Sequence, residues 1–63
     1  MYTIMYCNIR NELRLVKVDE NGPILDPRDR FTFLPEHKTE PPLFENATDG
    51  WHYISEFYPE LQP

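Results

Sequence analysis

Residues 2–25 read YTIMYCNIRNELRLVKVDENGPIL and set the order of the predicted strands. Aromatic and β-branched residues recur with a period of two from Tyr2 to Ile9, which predicts a β-strand. Both faces of this strand are largely apolar, so we expect it inside a sheet rather than at an edge. A polar break at 10–12 precedes a second predicted strand at 13–18. Apolar residues fall on both of its faces, which indicates either a bulge or burial on both sides.

A hairpin turn is predicted after the second strand. Asn21-Gly22 is the strongest short signal for such a turn, because both residues tolerate a positive φ angle. Pro23 then limits residues 24–25 to a short or edge strand, since proline has no N–H to donate to a neighbouring strand. Residues 31–34 follow a charged connector and predict a further strand. An antiparallel meander of three or four strands is therefore expected over residues 2–34.

Residues 35–42 predict a proline-rich arm. Pro35, Pro41 and Pro42 favour an extended, polyproline-like backbone. The side chains between them are polar, so we expect little of this arm to enter a core.

The remaining segment, residues 43–63, is expected to contain one short helix at about 49–58. Thr48 or Asp49 would cap this helix and Pro59 would end it. Its aromatic content also fits a strand, which makes an all-β fold the alternative. As a helix it would place four large residues on one face: Trp51, Ile54, Phe57 and Tyr58.

The predicted fold is a small single α+β domain over residues 1–63, with a three- to four-stranded antiparallel sheet and one short C-terminal helix. A chain of this length buries only about 60% of its unfolded surface, so its core is small. Self-association or a protein partner would support such a domain. The predicted core comprises Tyr2, Ile4, Tyr6, Leu15, Val16, Val18, Phe31, Phe33, Trp51, Ile54 and Phe57.

Charge is distributed unevenly along the chain. Eleven acids and six bases give a formal net charge of −5. All six bases precede residue 39 and are balanced there by six acids, so the whole net charge belongs to residues 39–63. Five of the nine aromatic residues lie in the same stretch. Acids steer a basic partner towards a surface, and aromatic side chains anchor it. The predicted partner-binding site comprises Glu40, Glu45, Asp49, Tyr53, Glu56 and Tyr58.

A simpler interpretation is that these rings form the core and the acids are its solvated rim. Both interpretations hold together if Trp51 and Phe57 lie inside while Tyr53 and Tyr58 face solvent as anchors.

No catalytic, metal or cofactor motif is visible in the sequence. His37, His52 and Cys7 match no metal-ligand spacing, and the acids show no paired arrangement for acid–base catalysis. The two glycines are too far apart for a phosphate-binding loop. We expect Cys7 to be a buried, inert thiol. The sequence therefore predicts a protein that is not an enzyme and holds no cofactor.

No signal peptide, membrane span or pair of cysteines is visible, so we expect a cytoplasmic protein without membrane contact. Direct nucleic-acid binding is disfavoured, because it requires a basic face. Five bases, Arg10, Arg14, Lys17, Arg28 and Arg30, are accompanied by four acids with which we expect them to pair: Glu12, Asp19, Asp26 and Asp29.

The leading hypothesis is a non-enzymatic module that binds a protein partner with a basic surface and acts stoichiometrically as its inhibitor or adaptor. Tiny acidic chains of this composition are frequent among phage proteins that disable a host enzyme. A second hypothesis is nucleic-acid mimicry, in which the acidic end occupies the site of an enzyme that handles DNA or RNA. A third is a structural homo-oligomer, such as a homodimer formed through an exposed strand or the aromatic end.

Overall fold

Four antiparallel strands form one sheet in the order β3-β2-β1-β4, and one helix packs on it. The computed structural model describes all 63 residues. This architecture confirms the α+β prediction, and the all-β alternative is wrong because residues 47–57 are helical. The predicted meander is wrong for the last strand, which pairs with β1 and not with β3. None of the helices has the length and apolar character needed to cross a membrane. The elements are β1 (Tyr2–Cys7), β2 (Glu12–Asp19), β3 (Gly22–Pro23), β4 (Phe31–Thr32), α1 (Ala47–Phe57) and two 3₁₀ turns, Pro35–His37 and Pro59–Leu61.

β1 lies inside the sheet, as its two apolar faces predict. It pairs with β2 along its whole length and with β4 at its C-terminal end. The pairing with β2 runs from Tyr2 opposite Lys17 to Cys7 opposite Glu12 without interruption. Burial on both sides, rather than a bulge, therefore explains the pattern of β2.

The hairpin between β2 and β3 is confirmed, although its turn differs in detail. Asp19 pairs with Gly22, and the Asn21 N–H donates a 2.8 Å hydrogen bond to the Asp19 carboxylate. Of Asn21 and Gly22, only Gly22 takes a positive φ, of 107°, which glycine tolerates because it lacks a Cβ. β3 is an edge strand as expected, but it lies at Gly22–Pro23 and not at 24–25.

The arm between β4 and α1 departs from the prediction. Instead of an extended polyproline segment, Pro35–His37 forms a 3₁₀ turn in which the His37 N–H donates to the Leu34 carbonyl at 2.9 Å. Proline suits the first position of a helical turn, because its fixed φ is helical and its missing N–H is not needed there. His37 is only 6% exposed. Residues 35, 36 and 38–40 are exposed, so little of the arm enters the interior, as expected, and His37 is the exception.

α1 begins two residues earlier than expected. Asn46 caps it by accepting from the Asp49 N–H at 2.9 Å, and the Asn46 amide donates to the Asp49 carboxylate at 3.3 Å. The first of these bonds is an N-cap, which satisfies one of the backbone donors that the first turn leaves free, and the second joins the two side chains. The helix ends at Phe57, before Pro59, as predicted.

Two layers on opposite faces of the sheet make up the interior. On one face, Ile54 of α1 packs against Ile4 and Leu13, and all three are fully buried. Gly50 permits the close approach, since a Cβ there would collide with the Leu15 side chain. On the other face, the Thr3 hydroxyl donates to the Pro42 carbonyl at 2.7 Å. An open, uncharged pocket of about 190 Å³ remains on that face, lined by Thr3, Val18, Gly22, Pro23, Phe33, Pro41 and Leu43.

The predicted core is correct at its centre and wrong at two helix positions. Ile4, Val16 and Ile54 are buried, whereas Trp51 is 37% and Phe57 is 58% exposed. Each of these two is three residues from Ile54, so they flank the buried line of the helix instead of lying on it. The other predicted core residues are half-buried: Tyr2, Tyr6, Leu15, Val18, Phe31 and Phe33.

Candidate partner-binding surface

One flank of α1 carries acids and aromatic rings together. Asp49, Tyr53, Glu56 and Phe57 follow one another at i, i+4, i+7 and i+8, a spacing that places them side by side on a helix. We call these four residues the acid–aromatic stripe. Asp49, Glu56 and Phe57 are exposed, and Tyr53 is half-buried. Three of the six residues predicted for the partner site therefore share one surface.

The aromatic rings of this region support one another. The Tyr53 ring centroid lies 4.7 Å from that of Phe57 and 5.3 Å from that of Phe44. Tyr58 lies 6.3 Å from Tyr53 on its other side. Separations of this size are typical of favourable aromatic packing.

The predicted burial of the aromatic residues in this region is reversed. Tyr53 and Tyr58 are half-buried, whereas Trp51 and Phe57 are exposed. In the structure the two tyrosines support the surface from below, and Phe57 presents the most exposed ring of the stripe.

The acids of residues 39–63 take part in no ion pair. The two ion pairs in the molecule join Arg14 to Glu12 at 3.5 Å and Arg28 to Asp26 at 3.8 Å. Local pairing of the bases is thus confirmed for these two. Asp19 and Asp29 instead accept hydrogen bonds from backbone N–H groups in turns. The exposed and unpaired acids are Glu40, Glu45, Asp49, Glu56 and Glu60.

Two of these acids occupy contrasting positions on the helix. Asp49 lies in the first turn of α1 and accepts a hydrogen bond from the side chain of the cap residue Asn46, so its charge at the N-terminus stabilises α1. Glu56 lies next to the last residue of α1, where the helix dipole favours a base and none is present. Asp49 therefore takes part in the helix cap, whereas Glu56 makes no side-chain hydrogen bond or ion pair. Glu40 lies in the loop before Pro41, and Glu45 immediately precedes the cap residue Asn46.

Tyr58 is held by a residue of the 3₁₀ turn. Its hydroxyl donates a 3.0 Å hydrogen bond to the Glu36 carboxylate. Desolvation by burial, with this hydrogen bond and the nearby Glu36 charge, raises the pKa of Tyr58 to about 12. A backbone hydrogen bond, together with the Tyr58 hydroxyl, lowers the pKa of Glu36 below its ordinary value.

His37 fills the space beside the two tyrosines. Its ring stands edge-on to Tyr58 at 5.9 Å between centroids and lies 6.4 Å from Tyr53. Its Nδ1 atom is buried and has no hydrogen-bond partner. Sequence reasoning placed this residue in a free arm. Pro35 was the available signal, because proline two residues earlier fits the start of a helical turn.

The structure brings together no cluster of three or more His, Cys, Asp or Glu side chains able to hold a metal ion. Cys7 is a buried free thiol, as predicted. Comparisons of the chain with protein-family models, curated proteins and solved structures find no match.

Proposed function

We propose that this protein is a non-enzymatic binding module that acts stoichiometrically, as inhibitor or adaptor, on a protein partner with a basic surface. The observation that carries the proposal is the set of exposed, unpaired acids on and beside the helix that also exposes Phe57. An acid that the fold needs is paired or caps a turn. These acids, Asp49 excepted, do neither.

Glu56 supports the proposal most specifically. A carboxylate near the C-terminal end of a helix opposes the helix dipole by about 0.3–1 kcal/mol. A surface that places an acid there, next to an exposed phenylalanine, suits a cationic group of another molecule better than it suits the fold. Rim charges of this kind act mainly on the association rate and on partner choice.

Phe57 is the proposed anchor of the stripe. It is 58% exposed, and its ring rests on Tyr53 at 4.7 Å between centroids. A preorganised ring binds with little loss of side-chain entropy. Truncation of a buried interface anchor typically costs at least about 2 kcal/mol of binding free energy. Tyr53 and Tyr58 remain proposed site residues, as supports of this ring.

Capture from a cell lysate on the tagged chain, with elution along a salt ramp, tests the proposal when variants are compared side by side. Glu45→Lys, Glu56→Lys and Glu60→Lys each reverse one unpaired acid, and Glu20→Lys in the hairpin turn is the matched control. A genuine partner stays on wild type and on the Glu20→Lys variant and is lost from the other three.

Phe57→Ala tests the anchor in the same experiment. Ile9→Ala is its control, because Ile9 is apolar, 68% exposed and distant from α1 in sequence. Loss of the partner with Phe57→Ala alone supports the assigned surface. A partner that every variant retains equally contradicts it.

Nucleic-acid mimicry is the second candidate, favoured by the same group of unpaired acids. It predicts that added duplex DNA displaces the captured protein and that binding falls steeply with salt. The structural alternative predicts no captured partner and self-association at micromolar concentration in sedimentation.

A further inference from the structure

Residues 35–41 cross the tyrosines that support the acid–aromatic stripe, and we call this segment the strap. We infer that the strap opens and closes as a unit while the rest of the fold stays intact, and that its closed position masks the Tyr53 and Tyr58 rings. The opening is inferred from the contacts that residues 35–41 make with the rest of the fold. Its role in controlling a partner rests on the proposed function.

Both ends of the strap are fixed to β1. Before it, Thr32 of β4 pairs with Tyr6. After it, Phe44 and Tyr2 exchange two backbone hydrogen bonds of 2.8 Å, and the Pro42 carbonyl accepts from the Thr3 hydroxyl. The strap therefore moves between two fixed points without disturbing the sheet.

Between these points His37 provides the one buried contact. It is 6% exposed, and its five neighbours from Pro35 to Glu40 are all exposed. The Glu36–Tyr58 hydrogen bond is the other attachment, and it lies at the surface. A segment with so few buried contacts belongs to the low-stability end of a structure, where local opening is frequent.

The buried His37 side chain also contains a polar atom without a hydrogen-bond partner. The His37 Nδ1 is buried without a hydrogen-bond partner in the closed position, and opening would expose it to water. A buried polar atom left unpaired favours the state that solvates it. The closed strap is therefore stabilised by ring packing and weakened by this nitrogen.

Opening would remove the His37 ring from Tyr58 and Tyr53, to which it lies at 5.9 and 6.4 Å. The uncovered rings adjoin Phe57, so the exposed aromatic surface becomes larger and continuous. A partner that contacts these rings binds only the open state and shifts the population towards it.

Amide hydrogen exchange of the wild-type chain, followed by NMR, tests the opening directly. The His37 N–H bonds to the Leu34 carbonyl just before the strap and the Lys38 N–H bonds to the Pro35 carbonyl at its start, whereas the Phe44 N–H bonds to Tyr2 beyond its end. We expect His37 and Lys38 to be at least about 100-fold less protected than Phe44. Equal protection of the three amides would overturn the inference, because the strap would then open only when the whole domain unfolds.

Variants identify the closing contact, with the Lys38 amide as the readout. His37→Phe keeps a ring and removes the unpaired nitrogen, so we expect slower exchange. His37→Ala removes the ring and is expected to exchange at least about tenfold faster than wild type. Glu36→Ala alters an exposed residue and tests the strap even if His37→Ala fails to fold; it is expected to exchange faster. Exposed Glu20→Ala in the hairpin turn is the control and leaves exchange unchanged. Faster exchange in His37→Phe would overturn the role of the unpaired nitrogen.

Acetylation of tyrosine hydroxyls by N-acetylimidazole, read by peptide mass spectrometry, tests the masking. Labelling of Tyr53 should decrease from His37→Ala through wild type to His37→Phe, with Tyr2 and Tyr6 as internal references. Equal labelling of Tyr53 in the three proteins would overturn the masking. This measurement uses no partner, so its failure is distinct from a failure of the proposed function, which the lysate capture decides.

Discussion

The sheet and the helix use their charged residues in different ways. In the sheet and its turns, Arg14 pairs with Glu12, Arg28 pairs with Asp26, and Asp19 closes the hairpin. Of the five acids of residues 39–63, only Asp49 makes a side-chain hydrogen bond. We propose that the other four serve another molecule, because none of them forms a hydrogen bond or an ion pair within the fold. The same contrast applies to apolar residues, since β1 and β2 bury theirs whereas α1 exposes Phe57.

The largest expected change in the free energy of unfolding comes from a substitution on the buried side of α1, and a substitution on its exposed flank should have a much smaller effect. Ile54→Ala removes a fully buried side chain that joins the helix to Ile4 and Leu13, and such changes cost about 2–5 kcal/mol. A domain of this size has roughly 3–5 kcal/mol of stability, so the variant should be largely unfolded in the absence of denaturant. Phe57→Ala should cost less than about 1 kcal/mol. Urea unfolding followed by circular dichroism checks both, and equal destabilisation would contradict the assignment of Phe57 to a free surface.

The next effect concerns the start of α1. Asn46→Ala removes the cap and should destabilise the domain by about 1 kcal/mol. Thr48→Ala alters a residue that sequence reasoning named as the cap and that the structure places inside the helix, so its effect should be near zero. Thermal unfolding of the two variants measures the difference. A larger loss from Thr48→Ala would contradict the observed helix start.

Much of the fold could be predicted because its signals are local. The period of two in β1, the Asn21-Gly22 turn and Pro59 each act through neighbouring residues. The assignment of burial on α1 could not be predicted, because it depends on which residue meets Ile4 and Leu13 across the sheet. Ile54 occupies that place, and its three-residue neighbours Trp51 and Phe57 are displaced to the flanks. His37 illustrates the same limit, since its burial comes from tyrosines far along the chain.

A smaller effect concerns the attachment of the strap at high pH. The pKa of Tyr58 is raised in the folded state from 10.0 to about 12. Its contribution to stability is therefore fully present below about pH 10 and is lost as the pH rises towards 12, because the unfolded chain releases the proton first. The Tyr58→Phe variant has no hydroxyl to titrate, so its stability should fall less between pH 10 and 12 than that of wild type. Urea unfolding between pH 8 and 11.5 compares the two, and identical pH profiles would contradict the Tyr58–Glu36 contact.

The smallest expected effect on stability is that of Glu56→Lys, and its sign shows whether the fold uses Glu56. Glu56→Lys places a base in the last turn of α1, where the dipole favours it, and should stabilise the domain by about 0.3–1 kcal/mol at low salt. Glu20→Lys in the hairpin turn should change stability by less than about 0.5 kcal/mol. Urea midpoints at low and high salt test this, and a destabilised Glu56→Lys variant would show that the fold does use Glu56.

The central claim is that the exposed acids and Phe57 of α1 serve a partner and not the fold. Measuring partner retention and urea stability on the same preparation of Glu56→Lys tests it most directly. We expect a domain at least as stable as wild type that binds its captured partner at least about tenfold more weakly. Unchanged retention of that partner, or a loss of binding that merely follows a loss of stability, would contradict it.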